Sequence, residues 1–267
     1  MTRRVFGTAA LVFGLLAAAP VFAKPAAKVP AAAPIARYTL KIVQTYPHDP
    51  QAFTEGLFYD RGFLYESTGR NGTSSIRKVD LDSGKVVLSN DVDSSYFGEG
   101  ITSWGGHIIS LTWRSQIGFI WNEADFQKKA SFQYTGEGWG MTHNAKNLIM
   151  SDGTPNVKFL DPNSLKVTRT IAVTYAGKPI GNVNELEWVD GEILANVWMQ
   201  PVIIRINPKS GDIDGVVDLS ALPEVANPSS DRDAVANGIA YDPDGKRLFV
   251  TGKLWSHLYQ VELVPAN

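Results

Sequence analysis

The chain has 267 residues, enough for one large domain or two small ones. Hydrophobic residues make up 44% and aromatics 10%, so a sizeable core can form and global disorder is excluded. Lys and Arg number 25 against 27 Asp and Glu, so no basic excess exists for a nucleic-acid partner, and the absence of Cys removes disulfides, thiolate metal sites and a Cys nucleophile.

Arg3 and Arg4 precede an apolar run from Val5 to Ala19. Pro20 and Val21-Phe22-Ala23 follow, with small residues placed for a cut after Ala23. This predicts a secretory signal peptide over residues 1–23. The apolar run falls short of the ~20 residues that a membrane span needs. Thr2-Arg3-Arg4-Val5-Phe6 resembles a twin-arginine export signal. The expectation is a periplasmic or secreted protein, exported by the Sec or the twin-arginine route, with no membrane association after cleavage. Loss of Arg3 and Arg4 leaves the mature chain more acidic. Residues 24–37 are Ala/Pro-rich and predict an extended tether. The folded domain is expected from Tyr38 to the end of the sequence, over residues 38–267.

From Tyr38 onward the pattern is short apolar strand, Gly/Asp turn, strand, turn, without helical periodicity. Five segments align: EGLFY from Glu55, EGITS from Glu99, WGMTH from Trp139, NELEW from Asn184 and NGIAY from Asn237. Their third position is always apolar: Leu57, Ile101, Met141, Leu186 and Ile239. The intervals are 44, 40, 45 and 53 residues. A second column lies 14 residues after the first, at Gly69, Trp113, Gly153 and Trp198, and 16 after it at Lys253, where the hairpin turn is longer. Such a period, with about four strands per unit, predicts an all-β, five-bladed β-propeller. Unit five stops after its third strand, HLYQVEL, so Tyr38 to Tyr46 is expected to supply its outer strand and close the ring.

In a propeller the innermost strands face the channel, so the first column should converge near the axis with the second beside it. Glu55, Glu99, Trp139, Asn184 and Asn237 then share one mouth with Trp113, Trp198 and Lys253. Buried carboxylates and carboxamides are costly unless paired or useful, which marks this mouth as the candidate site. The four His residues, His48, His107, His143 and His257, lie too far apart in sequence for a His-based zinc motif.

Phe53-Thr54-Glu55-Gly56-Leu57, Phe97-Gly98-Glu99-Gly100 and Gly138-Trp139-Gly140-Met141-Thr142 resemble the plant and bacterial type of glutaminyl cyclase. So do Asn184-Glu185-Leu186-Glu187-Trp188, Ala195-Asn196-Val197-Trp198 and Thr251-Gly252-Lys253-Leu254-Trp255. The resemblance spans about residues 38 to 263. It implies a five-bladed propeller that converts N-terminal glutamine of peptides or proteins to pyroglutamate with release of ammonia. It also implies that catalysis needs no metal or other cofactor. By the same resemblance Phe53 and Phe97 form an apolar wall and Glu99 is the essential carboxylate. Trp113, Trp139 and Trp198 are the site's tryptophans, and Asn184 and Lys253 its other polar groups. Plant members carry Gln where this chain has Glu55, so Glu55 is left to pair with the substrate's α-ammonium or with Lys253.

The chemistry suits these residues. An α-amine attacking its own side chain needs mainly to be held in a folded, near-attack shape. Glu99, Lys253 and Asn184 are the candidate catalytic groups. Glu99 would carry the proton, and an indole N–H, Asn184 or Lys253 would stabilise the oxyanion. Phe53, Glu55, Phe97, Trp113, Trp139 and Trp198 would bind substrate. Two other readings stand beside it. One is a lactonase-type, metal-dependent hydrolase using Glu55, Glu99, Asn184 and Asn237 as oxygen ligands; a structural Ca²⁺ in the channel is a related expectation. The other is a non-catalytic, peptide-binding propeller. A monomer is expected, since no long apolar surface run is present.

Overall fold

The computed structural model describes Met1 and residues 35–266. The expected signal peptide and most of the tether therefore lie outside the described residues.

The first strand, β1, runs Ala36–Pro47. Blade one follows as β2 Thr54–Asp60, β3 Phe63–Thr68, β4 Ser75–Asp80 and β5 Val86–Asp91. Blade two is β6 Gly98–Trp104, β7 His107–Thr112, β8 Ile117–Asn122 and β9 Lys128–Gln133. Blade three is β10 Met141–His143, β11 Leu148–Ser151, β12 Asn156–Leu160 and β13 Val167–Ala172. A short hairpin, β14 Thr174–Tyr175 with β15 Lys178–Pro179, leads to blade four. That blade holds β16 Val183–Val189, β17 Glu192–Val197, β18 Val202–Ile206 and β19 Ile213–Asp218. A one-turn helix, α1 Pro223–Ala226, precedes β20 Ala236–Asp242, β21 Arg247–Gly252 and β22 His257–Pro265.

Each blade is an antiparallel meander, and hairpin chemistry fixes its register. Arg61 and Gly62 both adopt positive φ, 46° and 87°, between the paired residues Asp60 and Phe63. Two successive positive φ values make the tight turn whose twist matches the flanking strands. In the last blade Asp242 pairs with Arg247 across a longer turn, which accounts for the wider column spacing there.

Five hydrophobic cores lie between the blades, and together they close the ring. Ile101 sits in the core joining blades one and two, Met141 between two and three, and Leu186 between three and four. Ile239 lies between four and five, and Leu57 between five and one. Each of these side chains is at most 1% exposed. Full burial of such a side chain contributes about 1.5–3 kcal/mol. The repeated apolar position is thus the hub of each inter-blade interface.

β1 pairs antiparallel with β22 from Tyr38↔Pro265 to Pro47↔His257, the closure expected from the sequence. It starts earlier than Tyr38, however, and Ala36–Tyr38 also pair in parallel with Gly215–Val217 of β19. The outer edges of blades four and five are thereby joined into one eight-stranded sheet. The wide interval before Asn237 holds α1 and a loop that reaches the channel mouth.

Candidate active site

The inner strands lose regular pairing at the first column. Register shifts fall between Thr54 and Gly56, Gly98 and Ile101, Val183 and Leu186, and Ala236 and Ile239. Such irregularities re-aim side chains, and here they turn Glu55, Glu99 and Asn184 toward one end of the channel. Side chains at one repeated position of the preceding blade hold the turned backbone. Ser151 Oγ donates to the Asn184 carbonyl at 2.7 Å, Ser67 Oγ to that of Glu99, and Asn196 Oδ1 accepts from Gly238 N at 3.0 Å.

A cavity of about 380 Å³ opens at this end. All nine site residues expected from the sequence line it: Phe53, Glu55, Phe97, Glu99, Trp113, Trp139, Asn184, Trp198 and Lys253. Asn237 does not line it. It stands behind Glu55, donating from Nδ2 to Glu55 Oε2 at 3.3 Å and to the Thr54 carbonyl at 2.9 Å. Gly69 and Gly153, where other blades carry Trp or Lys, leave room for rings. A Cβ on Gly69 would strike Phe97, and one on Gly153 would lie 2.5 Å from Trp139. Phe53, Phe97 and Trp113 form one run of edge-on and tilted aromatic contacts, with centroids 6.1 and 5.5 Å apart. Trp139 meets Trp198 edge-on at 5.8 Å.

Lys253 points inward. Its Nζ donates to Glu55 Oε1 at 2.7 Å and lies 4.6 Å from the centre of the Phe53 ring. Glu55 therefore meets Lys253, the second of the two partners considered for it. Burial raises the Glu55 carboxyl above its ordinary value, and the Lys253 charge pulls it partly back. Glu99 is pushed well above its ordinary value, first by burial and then by the Glu55 charge, with Lys253 opposing. Among the described residues its carboxyl has no hydrogen-bond partner and faces the cavity. A proton acceptor of raised basicity thus stands free at the floor of an aromatic pocket.

Arg70, Arg114, Glu137 and Asp233 complete the lining and lie outside the two repeat columns. Arg70 and Arg114 each follow a second-column residue, a signal visible in the repeat. Glu137 stands two residues before the first column, the position that carries Phe53 and Phe97 in blades one and two. Its Oε2 accepts the indole N–H of Trp113 at 2.7 Å and of Trp139 at 2.9 Å. Those two indoles are therefore not available to an oxyanion. Asn184 and Trp198, whose carboxamide and indole N–H make no side-chain bonds among the described residues, remain free donors on the lining.

The opposite end of the channel holds a larger cavity, about 540 Å³, in which Glu187, Asp190 and Asp242 already accept hydrogen bonds. Glu187 accepts from Thr142 Oγ1 and Tyr241 N, Asp190 from Lys246 and Tyr241, and Asp242 from Arg247. Between the two mouths Glu185 fills the axis and accepts backbone N–H groups of Leu57 and Ile239, at 3.3 and 2.9 Å. No group of three or more His, Asp or Glu side chains converges as a metal cage among the described residues.

The glutamine cyclotransferase family model matches residues 13–263. The chain belongs to the glutamine cyclotransferase family. It is 43% identical over 231 residues to the glutaminyl-peptide cyclotransferase of Arabidopsis thaliana, covering 85% of this chain and 72% of that protein. The crystal structure of Myxococcus xanthus glutaminyl cyclase superposes with a TM-score of 0.82 at 34% identity, over 88% of this chain and 100% of that one. The five-blade architecture and the family assignment, both read from the sequence, are borne out.

Proposed function

We infer that this chain is a glutaminyl-peptide cyclotransferase, and that the cavity at the Glu99 end of the channel converts N-terminal glutamine to pyroglutamate. The observation that carries the mechanism is the Glu99 carboxyl, buried among aromatic rings with raised basicity and without a hydrogen-bond partner among the described residues.

The substrate's glutamine folds between Phe97, Trp113 and Trp139, which exclude water and bring its α-nitrogen against its own side-chain carboxamide carbon. Intramolecular attack in a held geometry supplies much of the acceleration. The α-amine has an ordinary pKa of about 7.7–8.0, so little work is needed to free its lone pair. The new N–C bond forms as the carbonyl becomes an oxyanion, which Asn184 Nδ2 stabilises from the channel side. Glu99 takes the proton lost by the attacking amine and returns it to the side-chain nitrogen. The C–N bond then breaks, ammonia departs and the five-membered lactam remains. Glu55 stays tied to Lys253 and Asn237, so it shapes the charge around Glu99 without carrying the proton.

Export to the periplasm or beyond, action as a monomer and catalysis without a metal complete the proposal. The test is incubation of purified protein with a Gln-initiated peptide, with and without chelator. Release of ammonia and a matching mass loss, unchanged by chelator, supports the reading. Peptide binding without ammonia release would favour a binding propeller. Loss of activity with chelator would favour the metal-dependent reading.

A further inference from the structure

We propose that Glu137 is a positioning residue of this site, holding the Trp113 and Trp139 rings as the walls against which the substrate glutamine folds. This inference rests on the cyclase reading above.

Three observations carry it. First, Glu137 takes the repeat position that supplies an aromatic wall in blades one and two, Phe53 and Phe97. Blade three places a carboxylate there instead and draws its wall from Trp139, two residues on. Second, one oxygen of that carboxylate takes the indole N–H groups of two different blades, at 2.7 and 2.9 Å. A carboxylate oxygen offers two acceptor sites, so both bonds can form together. Third, the other oxygen accepts from Arg114 Nε at 3.1 Å, and the Arg114 guanidinium lies 3.8 Å above the Trp113 ring. Trp113 is thus gripped at its edge by Glu137 and on its face by Arg114.

The Glu137–Arg114 pair is too open to solvent to contribute much stability, with side chains 36% and 68% exposed. Its consequence is orientational. Charge-assisted bonds fix a ring edge more tightly than neutral ones. Without Glu137 both indoles would turn to find other acceptors, and Trp139 would leave its seat against Gly153 and its edge contact with Trp198. A small misplacement of a positioning wall is enough to cost catalysis heavily.

The carboxylate also has an electrostatic reach. The groups that face Glu99 are Glu55 from β2, Lys253 after β21, Glu137 before β10 and Tyr134 after β9. Glu137 is one of the negative charges that raise the Glu99 carboxyl. Removing that charge lets Glu99 ionise at lower pH, so the acid limb of the rate profile moves to lower pH.

The test uses the full chain with Glu137→Ala and Glu137→Gln, assayed on one Gln-initiated peptide across pH, with tryptophan emission recorded alongside. Glu137→Ala should raise KM about tenfold, lower kcat and shift the emission spectrum. Glu137→Gln keeps an acceptor for the indoles, so it should recover most of KM and of the native emission. Both variants should move the acid limb to lower pH. Unchanged KM, emission and acid limb in Glu137→Ala would overturn the proposal. So would a loss of rate that only follows the folded fraction and is no smaller in Glu137→Gln. The wild type run in parallel separates the two levels of inference: an inactive wild type removes the cyclase reading, whereas an active wild type with indifferent variants removes only the role of Glu137.

Discussion

Lys253→Met should destabilise the protein in a way that a second substitution repairs. Lys253 Nζ lies 2.7 Å from Glu55 Oε1, and the two side chains are only 8% and 3% exposed. Methionine keeps most of the length and apolar bulk but leaves Glu55 buried beside Glu99 without an ion-pair partner among the described residues. Breaking one partner out of such a pair costs about 3–5 kcal/mol. For a domain of this size that corresponds to a fall in Tm of roughly 6–20 °C. The sign of the pH dependence follows from Glu55. Its folded value already lies above the ordinary 4.5, because burial outweighs Lys253. A carboxyl raised in this way contributes stability below its unfolded value and loses it as pH rises through the folded one. Removing Lys253 raises it further, so the loss should be larger at pH 8 than at pH 5. Glu55→Gln in the Lys253→Met background takes away the stranded charge and keeps an acceptor for Asn237. The double variant should regain most of the lost Tm. Calorimetry of the four proteins at both pH values gives the coupling directly. A double variant as unstable as Lys253→Met plus any Glu55→Gln penalty, or a loss independent of pH, would refute a buried ion pair.

Gly153→Ala asks a residue with φ of +75° to carry a Cβ placed 2.5 Å from Trp139, so the ring must move. A cost of about 1–3 kcal/mol and a several-fold rise in KM are expected from melts and steady-state kinetics. Glu187 in the channel is raised by burial from 4.5 to about 8. Its contribution is present below its unfolded value and is lost as pH rises through about 8, so wild-type Tm should fall on the alkaline side. Glu187→Gln should flatten that decline, and an equally steep decline in the variant would count against the assignment.

Much of the fold was legible because a propeller repeats both its hubs and its turns. Leu57, Ile101, Met141, Leu186 and Ile239 were found by register alone, and each centres one inter-blade core. The closure by β1 followed from the strand missing in blade five. Its parallel pairing with Gly215–Val217 did not, since nothing in the residues from Ala36 to Tyr38 names a second partner. At the site, side chains that project from equivalent inner positions are legible from the repeat. Glu137 is not, because its column carries Phe in the first two blades and its role is defined by two indoles from different blades. Nor is Glu185, which replaces the glycine that follows the first column in the other blades. There the repeat itself was broken, and the break marks the carboxyl that fills the channel axis between Leu57 and Ile239.

The proposed mechanism places the travelling proton on Glu99 and not on Glu55. The direct measurement is turnover of one Gln-initiated peptide by wild type, Glu99→Gln and Glu55→Gln, followed as ammonia released. Glu99→Gln keeps the shape of the pocket but cannot shuttle a proton, so turnover should fall by about 10²-fold or more. Glu55→Gln should retain substantial turnover and change mainly KM or the pH profile, because Glu55 is held by Lys253 and Asn237. Equal losses in the two variants would mean that the carboxyls act as one coupled pair, and a larger loss at Glu55 would place the proton shuttle in blade one, contradicting the account.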